Sequence, residues 1–180
     1  MKTFRGKVAV ITGAGSGIGR ALARRLADEG ARLALSDINE TAIAETLAQL
    51  GSGVEARAYH LDVSSRDAVF AHAEQVRADF AAAHVLFNNA GTTLIGTCEN
   101  QTLEEIRWLL DVNLWGVIYG TKAFLPTMLA QREGCIVNLS SVFGLVGFPA
   151  QGAYNISKLG VRGLTECLWS ALDGTGVRAA

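Results

Sequence analysis

The chain has 180 residues, 16 Lys and Arg against 17 Asp and Glu, 49% hydrophobic residues and 18% charged ones. That length corresponds to about one domain, and so apolar a composition excludes a disordered or collagen-like protein. A net charge of −1 offers no field for nucleic acid or an anionic membrane surface, and neither partner is expected.

Val8 to Thr12 reads as a buried strand, and Ser16 to Glu29 as a helix with Ile18, Leu22 and Leu26 on one face, ended by Gly30. Arg32 to Ser36 is a second strand stopped by Asp37, and Asn39 to Leu50 a second helix closed by Gly51-Ser52-Gly53. Val54 to Leu61 is a third strand, weakened by polar residues. Ser64 to Ala82 follows as a helix, and Ser64 with Asp67 resembles a capping box. After a fourth strand, Val85 to Asn88, one long helix is predicted from Leu103 to Gln131. Thr102 and Glu105 cap it, and Pro126 should kink or interrupt its last turns. Cys135 to Ser140 is a fifth strand and Gln151 to Leu172 a last helix, ended by Gly174 and Gly176. Strands alternating with helices of this length predict an α/β fold over residues 1–180: a three-layer, doubly wound parallel sheet of Rossmann type with helices on both faces.

Cys98, Cys135 and Cys167 are odd in number and lack a CxxC pair, so they are expected to be buried or half-buried thiols, with no disulfide framework and no metal site. The first residues lack the apolar core of a secretory signal, and the longest apolar runs fall short of the ~18 residues of a membrane span. A reducing cytoplasm is the expected location. His60, His72 and His84 have no ligand spacing and are expected at surface or element-end positions. Trp108 and Trp115, seven apart on one helix face, suggest core or interface packing, as does Trp169.

The first strand runs into Gly13, Gly15, Ser16, Gly17, Ile18 and Gly19, and then a helix begins. Glycines allow positive φ and close approach of a ligand, and the helix start offers unpaired N–H groups to a phosphate. A turn that only packs helix against strand would use the same residues. Asp37 ends the second strand, where a carboxylate can accept from both hydroxyls of an adenosine ribose and repel a 2′-phosphate. With Ile38 after it and Ser16 in the loop, nothing basic is placed for that phosphate, which favours NAD over NADP. The alternative is Asp37 as a plain turn or cap residue.

These motifs continue with Asp62-Val63, Asn88-Asn89-Ala90-Gly91, Asn113, Ser140-Ser141 and Tyr154-Asn-Ile-Ser-Lys158. In this order and spacing the chain, from about Lys7 to Ala180, resembles the short-chain dehydrogenase/reductase family. The resemblance implies adenine contacts from Asp62 and Val63. It implies a cofactor cleft lined by Asn89, Ala90 and Gly91, a helix interrupted at Asn113, and a catalytic tetrad of Asn113, Ser141, Tyr154 and Lys158. It also implies that Tyr154 and Lys158 touch the cofactor, and that the protein is a homodimer or homotetramer.

The chemistry suits those residue types. Tyr154 and Lys158 lie four apart, on one helix face. A free tyrosine, with a pKa of about 10, is a poor base near neutrality, and a neighbouring ammonium favours its phenolate. Such a tyrosine can exchange a proton with an alcohol or carbonyl oxygen while hydride moves. A serine can hydrogen-bond that oxygen as charge develops. The apolar Val142, Phe143, Leu145, Val146 and Phe148 suggest a small-molecule substrate, an apolar secondary alcohol or ketone.

Typical members of the family are longer. The chain stops where a sixth strand would begin, so the substrate-loop portion is expected to be absent and the fifth strand to be left as an exposed apolar edge. Either the sequence is part of a longer polypeptide or the protein ends there. A nucleotide-binding module without turnover, or a structural dimerisation partner, are the rival readings.

Overall fold

In a computed structural model, which describes residues 3–180, strand β1 (Val8–Thr12) is buried along its whole length near the middle of a six-stranded parallel sheet. The other strands are β2 (Arg32–Asp37), β3 (Ala56–His60), β4 (Val85–Asn88), β5 (Gly134–Asn138) and β6 (Val177–Ala179), in spatial order 3-2-1-4-5-6. The polar residues of β3 are explained by its place: it is an edge strand, only half covered. Successive side chains of β1 serve opposite faces. Val8 and Val10 pack with Val76 and Phe80 of helix α3 (Arg66–Phe80) and with Phe124 and Met128 of α5 (Gly116–Gln131). Ala9 and Ile11 pack with Ala23 and Leu26 of α1 (Gly17–Asp28) and Ile43 of α2 (Glu40–Ala48). The doubly wound α/β arrangement follows.

Local signals account for the helix starts. Asn39 accepts from Ala42 N–H, and Thr102 and Glu105 form the expected capping box of α4 (Leu103–Leu110). Four expectations are corrected. Ser64 does not cap α3; it bonds back to Asp62, and Ser65 caps the helix by accepting from Ala68 N–H. Helix α5 runs through Pro126 to Gln131, with buried Phe124 and Met128 on either side. Strand β5 is not the sheet edge, because β6 pairs with Gly134–Ile136. Cys98 and Cys167 are exposed rather than buried; only Cys135 is half-buried. No helix among the described residues is long and apolar enough to cross a membrane.

His72 is a further correction, and it has an energetic consequence. It lies 4% exposed in the middle of α3, between the rings of Tyr59 and Phe124, and neither ring nitrogen has a partner among the described residues. Burial pushes its pKa from the ordinary 6.5 down to about 4. The unfolded chain therefore takes up this proton first, and the contribution to stability is intact above about 6.5 and lost progressively as pH falls toward about 4. Replacing His72 by Leu should remove about 1.4 kcal/mol per pH unit from the acid slope of unfolding free energy. Urea titrations between neutrality and mild acid check this; equal slopes in both proteins would contradict it.

Candidate active site

The glycine turn is built for close approach. Gly13 has φ +65°, and a Cβ there would stand 2.7 Å from Ala90 Cα. Asn89 Nδ2 donates to the carbonyls of Thr12 (2.9 Å) and Gly13 (3.1 Å), while Thr12 Oγ1 accepts from the N–H groups of Asn89 and Ala90. The ends of β1 and β4 are thereby locked together. Gly15 N–H donates to Asp37 Oδ2 at 2.8 Å, and Asp37 Oδ1 accepts from Asn39 N–H at 2.9 Å. Asp37 is therefore a turn residue, but a carboxylate has about four acceptor positions, so capacity remains for two hydroxyls. Arg20 braces the same loop from behind, donating to Gly15 O, Ala42 O and Thr46 Oγ1.

A cleft of about 700 Å³ opens beside this loop, lined among others by Gly13, Ser16, Gly17, Ile18, Asp37, Asp62, Val63 and Asn89-Ala90-Gly91. Ser16 begins α1 without using its side chain, so the first N–H groups of that helix face no capping side chain. The cleft thus offers a glycine-rich turn at a helix start, the carboxylates of Asp37 and Asp62, and apolar side chains of Ile18, Ile38, Leu61 and Val63. These features fit a dinucleotide.

A second cleft, about 460 Å³, shares Ile18, Asn89, Gly91 and Thr92 with the first and adds Thr93, Leu139, Ser140, Tyr154 and Lys158. Lys158 is 6% exposed, and its Nζ donates to Leu139 O at 2.8 Å and lies 5.7 Å from the centre of the Tyr154 ring. Burial holds its ammonium below the ordinary lysine value. Both residues come from helix α6 (Gly152–Ala171). Asn113 lies in a π-helical segment, Asp111–Trp115, that interrupts the long helix expected from the sequence, as the resemblance implied. Its amide is fully buried, accepting from Thr92 N–H and donating to Thr92 O, both at 2.8 Å. Gly91 sits between the two groups: a Cβ there would be 3.3 Å from Asn113 Oδ1 and 3.7 Å from Lys158 Nζ.

Asn113, Tyr154 and Lys158 are thus brought together. Ser141 lines neither cleft directly and joins through Phe143. Its Oγ accepts from Phe143 N–H at 3.2 Å, and the Phe143 ring stands edge-on to Tyr154 at 5.8 Å. Ser140 does line the second cleft, but its hydroxyl is spent on Lys158 O. Sequence reasoning missed Thr12, Arg20 and Thr92, whose roles are contacts across the fold. It also read Trp108 as a packing residue, whereas Trp108 is half-exposed and lines the larger cleft. Trp115 and Trp169 are exposed, which leaves interface packing as the reading of both.

Comparison with known proteins agrees with this geometry. The profile of the family described as short chain dehydrogenase matches residues 7–180. SadH of Mycobacterium tuberculosis is 51% identical over 170 residues, covering 93% of this chain and 61% of its own length. A 3-alpha-(or 20-beta)-hydroxysteroid dehydrogenase of the same organism is 38% identical, with 96% and 66% covered. This chain spans about three-fifths of SadH. Among solved structures, a short chain dehydrogenase/reductase from Burkholderia phymatum in complex with NAD superimposes with a TM-score of 0.97 at 42% identity, covering all of this chain and 66% of that one. A metagenomic short-chain oxidoreductase in complex with NADP gives 0.90 at 35% identity, with 98% and 81% covered.

Proposed function

The chain belongs to the short-chain dehydrogenase family, and we propose that it is an NAD-dependent oxidoreductase interconverting an apolar secondary alcohol and its ketone. One observation carries the reading: a buried ammonium, Lys158, stands behind the Tyr154 ring at a cleft that shares Asn89 and Gly91 with the dinucleotide-sized one. When bound, the nicotinamide cofactor supplies or accepts the hydride.

The chain's own residues hold and move the proton. Tyr154 gives its phenolic proton to the carbonyl oxygen, or takes one from the alcohol. Lys158, fixed by Leu139 O, places a positive charge 5.7 Å from the centre of the Tyr154 ring. Ser141 lies just outside the lining of the second cleft; its oxygen accepts from Phe143 N–H, and its free O–H is the group that would donate to a substrate oxygen seated beside Tyr154. Asn113 anchors Thr92 on the wall of the second cleft. Gly13, Gly15, Ser16, Gly17, Ile18 and Gly19 would hold the pyrophosphate, Asp37 the adenosine ribose, and Asp62 and Val63 the adenine. Exposed Val142, Leu145, Val146 and Phe148 favour an apolar substrate. The named activity of the hydroxysteroid dehydrogenase relative agrees with that class. We read the protein as a cytoplasmic homodimer or homotetramer; the exposed thiols suit a reducing compartment, and exposed Trp115 and Trp169 suit a subunit face.

The choice of NAD over NADP rests on Asp37. In Asp37→Ala both cofactors should bind less tightly, because Gly15 N–H loses its acceptor. The ratio isolates the charge: the preference for NADH over NADPH by calorimetric titration should narrow by about tenfold. An unchanged ratio would remove Asp37 from the selectivity.

A further inference from the structure

Asn155 follows Tyr154 on α6 and is 7% exposed. All the hydrogen bonds of its amide go to one segment. Nδ2 donates to the carbonyls of Phe143 and Val146, both at 2.7 Å, and Oδ1 accepts from Phe148 N–H at 3.1 Å. Within that segment Phe143 is half-buried and Gly144 buried, while Leu145, Val146 and Phe148 are exposed, Phe148 by 57%. An unsupported run of this kind would sample many conformations. Here it presents an ordered stack: Phe148 lies on Phe143 at 5.1 Å and 25°, and Phe143 meets the Tyr154 ring edge-on at 5.8 Å and 89°.

We propose that Asn155 is a specificity-determining positioning residue, holding Phe143 and Phe148 as an aromatic wall that selects substrates with an aryl or similarly flat apolar group beside the carbonyl. The inference deepens the proposed function and rests on it. Asn155 sits next to Tyr154 in sequence, so one helix turn carries both the proton donor and the anchor of the wall. Distance between reacting oxygen and wall is then set by rigid backbone rather than by a free loop. An aryl group gains from offset stacking on an exposed ring, which an alkyl chain of equal size does not.

The test compares acetophenone with 2-octanone on the full chain, its Asn155→Asp variant and its Phe148→Ala variant. Asn155→Asp keeps an acceptor for Phe148 N–H but loses both donors. The ratio of kcat/KM for acetophenone over 2-octanone should fall by about tenfold in each variant, through KM for acetophenone. Amide hydrogen exchange at Val146 to Phe148 should quicken in Asn155→Asp while NADH affinity holds. Phe148→Ala removes only an exposed ring, and keeps the test valid if the aspartate variant fails to fold. An unchanged substrate ratio in both variants, or unchanged exchange in Asn155→Asp, would overturn the proposal. Reduction of neither ketone by the unsubstituted chain would contradict the proposed function instead, and the exchange measurement would still decide whether Asn155 holds the segment.

Discussion

Replacing Tyr154 by Phe is expected to lower ketone reduction by about a thousandfold, in the middle of the range for loss of a general acid, while leaving NADH affinity nearly unchanged. The substitution deletes one oxygen and keeps the ring. The edge-on contact with Phe143 at 5.8 Å and the position over Lys158 at 5.7 Å involve the ring, so the packing survives. Neither Ser141 nor Lys158 replaces the lost proton donor well: Lys158 Nζ is anchored on Leu139 O behind the Tyr154 ring, and the alkanol hydroxyl of Ser141 is far less acidic than a phenol. Steady-state kinetics with calorimetric titration of NADH separate the two effects. A variant that retains most of its turnover would show that the proton comes from elsewhere.

The second large effect is expected at Gly13. An alanine there would be forced into φ +65°, and its Cβ would lie 2.7 Å from Ala90 Cα and 3.0 Å from Ala90 N. Left-handed strain costs about 1–3 kcal/mol, and crowding against fixed backbone costs a similar amount. Relief can come only by separating the β1 and β4 ends, which breaks the bonds from Asn89 to Thr12 and Gly13. Gly13→Ala should therefore lose about 2–5 kcal/mol of unfolding free energy and bind NADH more than tenfold more weakly. Urea unfolding and calorimetry read both. Normal stability with normal affinity would mean that the two strand ends are not locked as described.

Much of this was legible in the sequence because the signals are local. Buried strands such as Val8–Thr12 are continuous apolar runs, helices show a 3.6-residue period, and glycines mark the turn where backbone must approach backbone. Resemblance supplied what periodicity could not: Asp111, Val112, Asn113 and Gly116 are all weak helix formers, but that local weakness does not say where or how the helix is interrupted. Contacts between distant residues stayed hidden. Nothing in the neighbourhood of His72 announces a site between Tyr59 and Phe124, and nothing near Arg20 announces bonds to Ala42 and Thr46. Pro126 does not interrupt its helix, since tertiary packing of Phe124 and Met128 outweighs the helix-breaking tendency of one residue. The last residues read as the entry to a sixth strand, but that three of them already suffice to pair with β5 is a contact across the sheet that pattern does not show.

The central claim is that this cleft joins a nicotinamide cofactor to a carbonyl at Tyr154. The most direct test supplies the full chain with an apolar ketone and NADH carrying deuterium at both C4 positions, and weighs the alcohol formed. One deuterium is expected on the carbinol carbon, and none formed by Tyr154→Phe above the background rate. NADH that binds with normal affinity while no deuterated alcohol appears, across aryl and alkyl ketones alike, would contradict it.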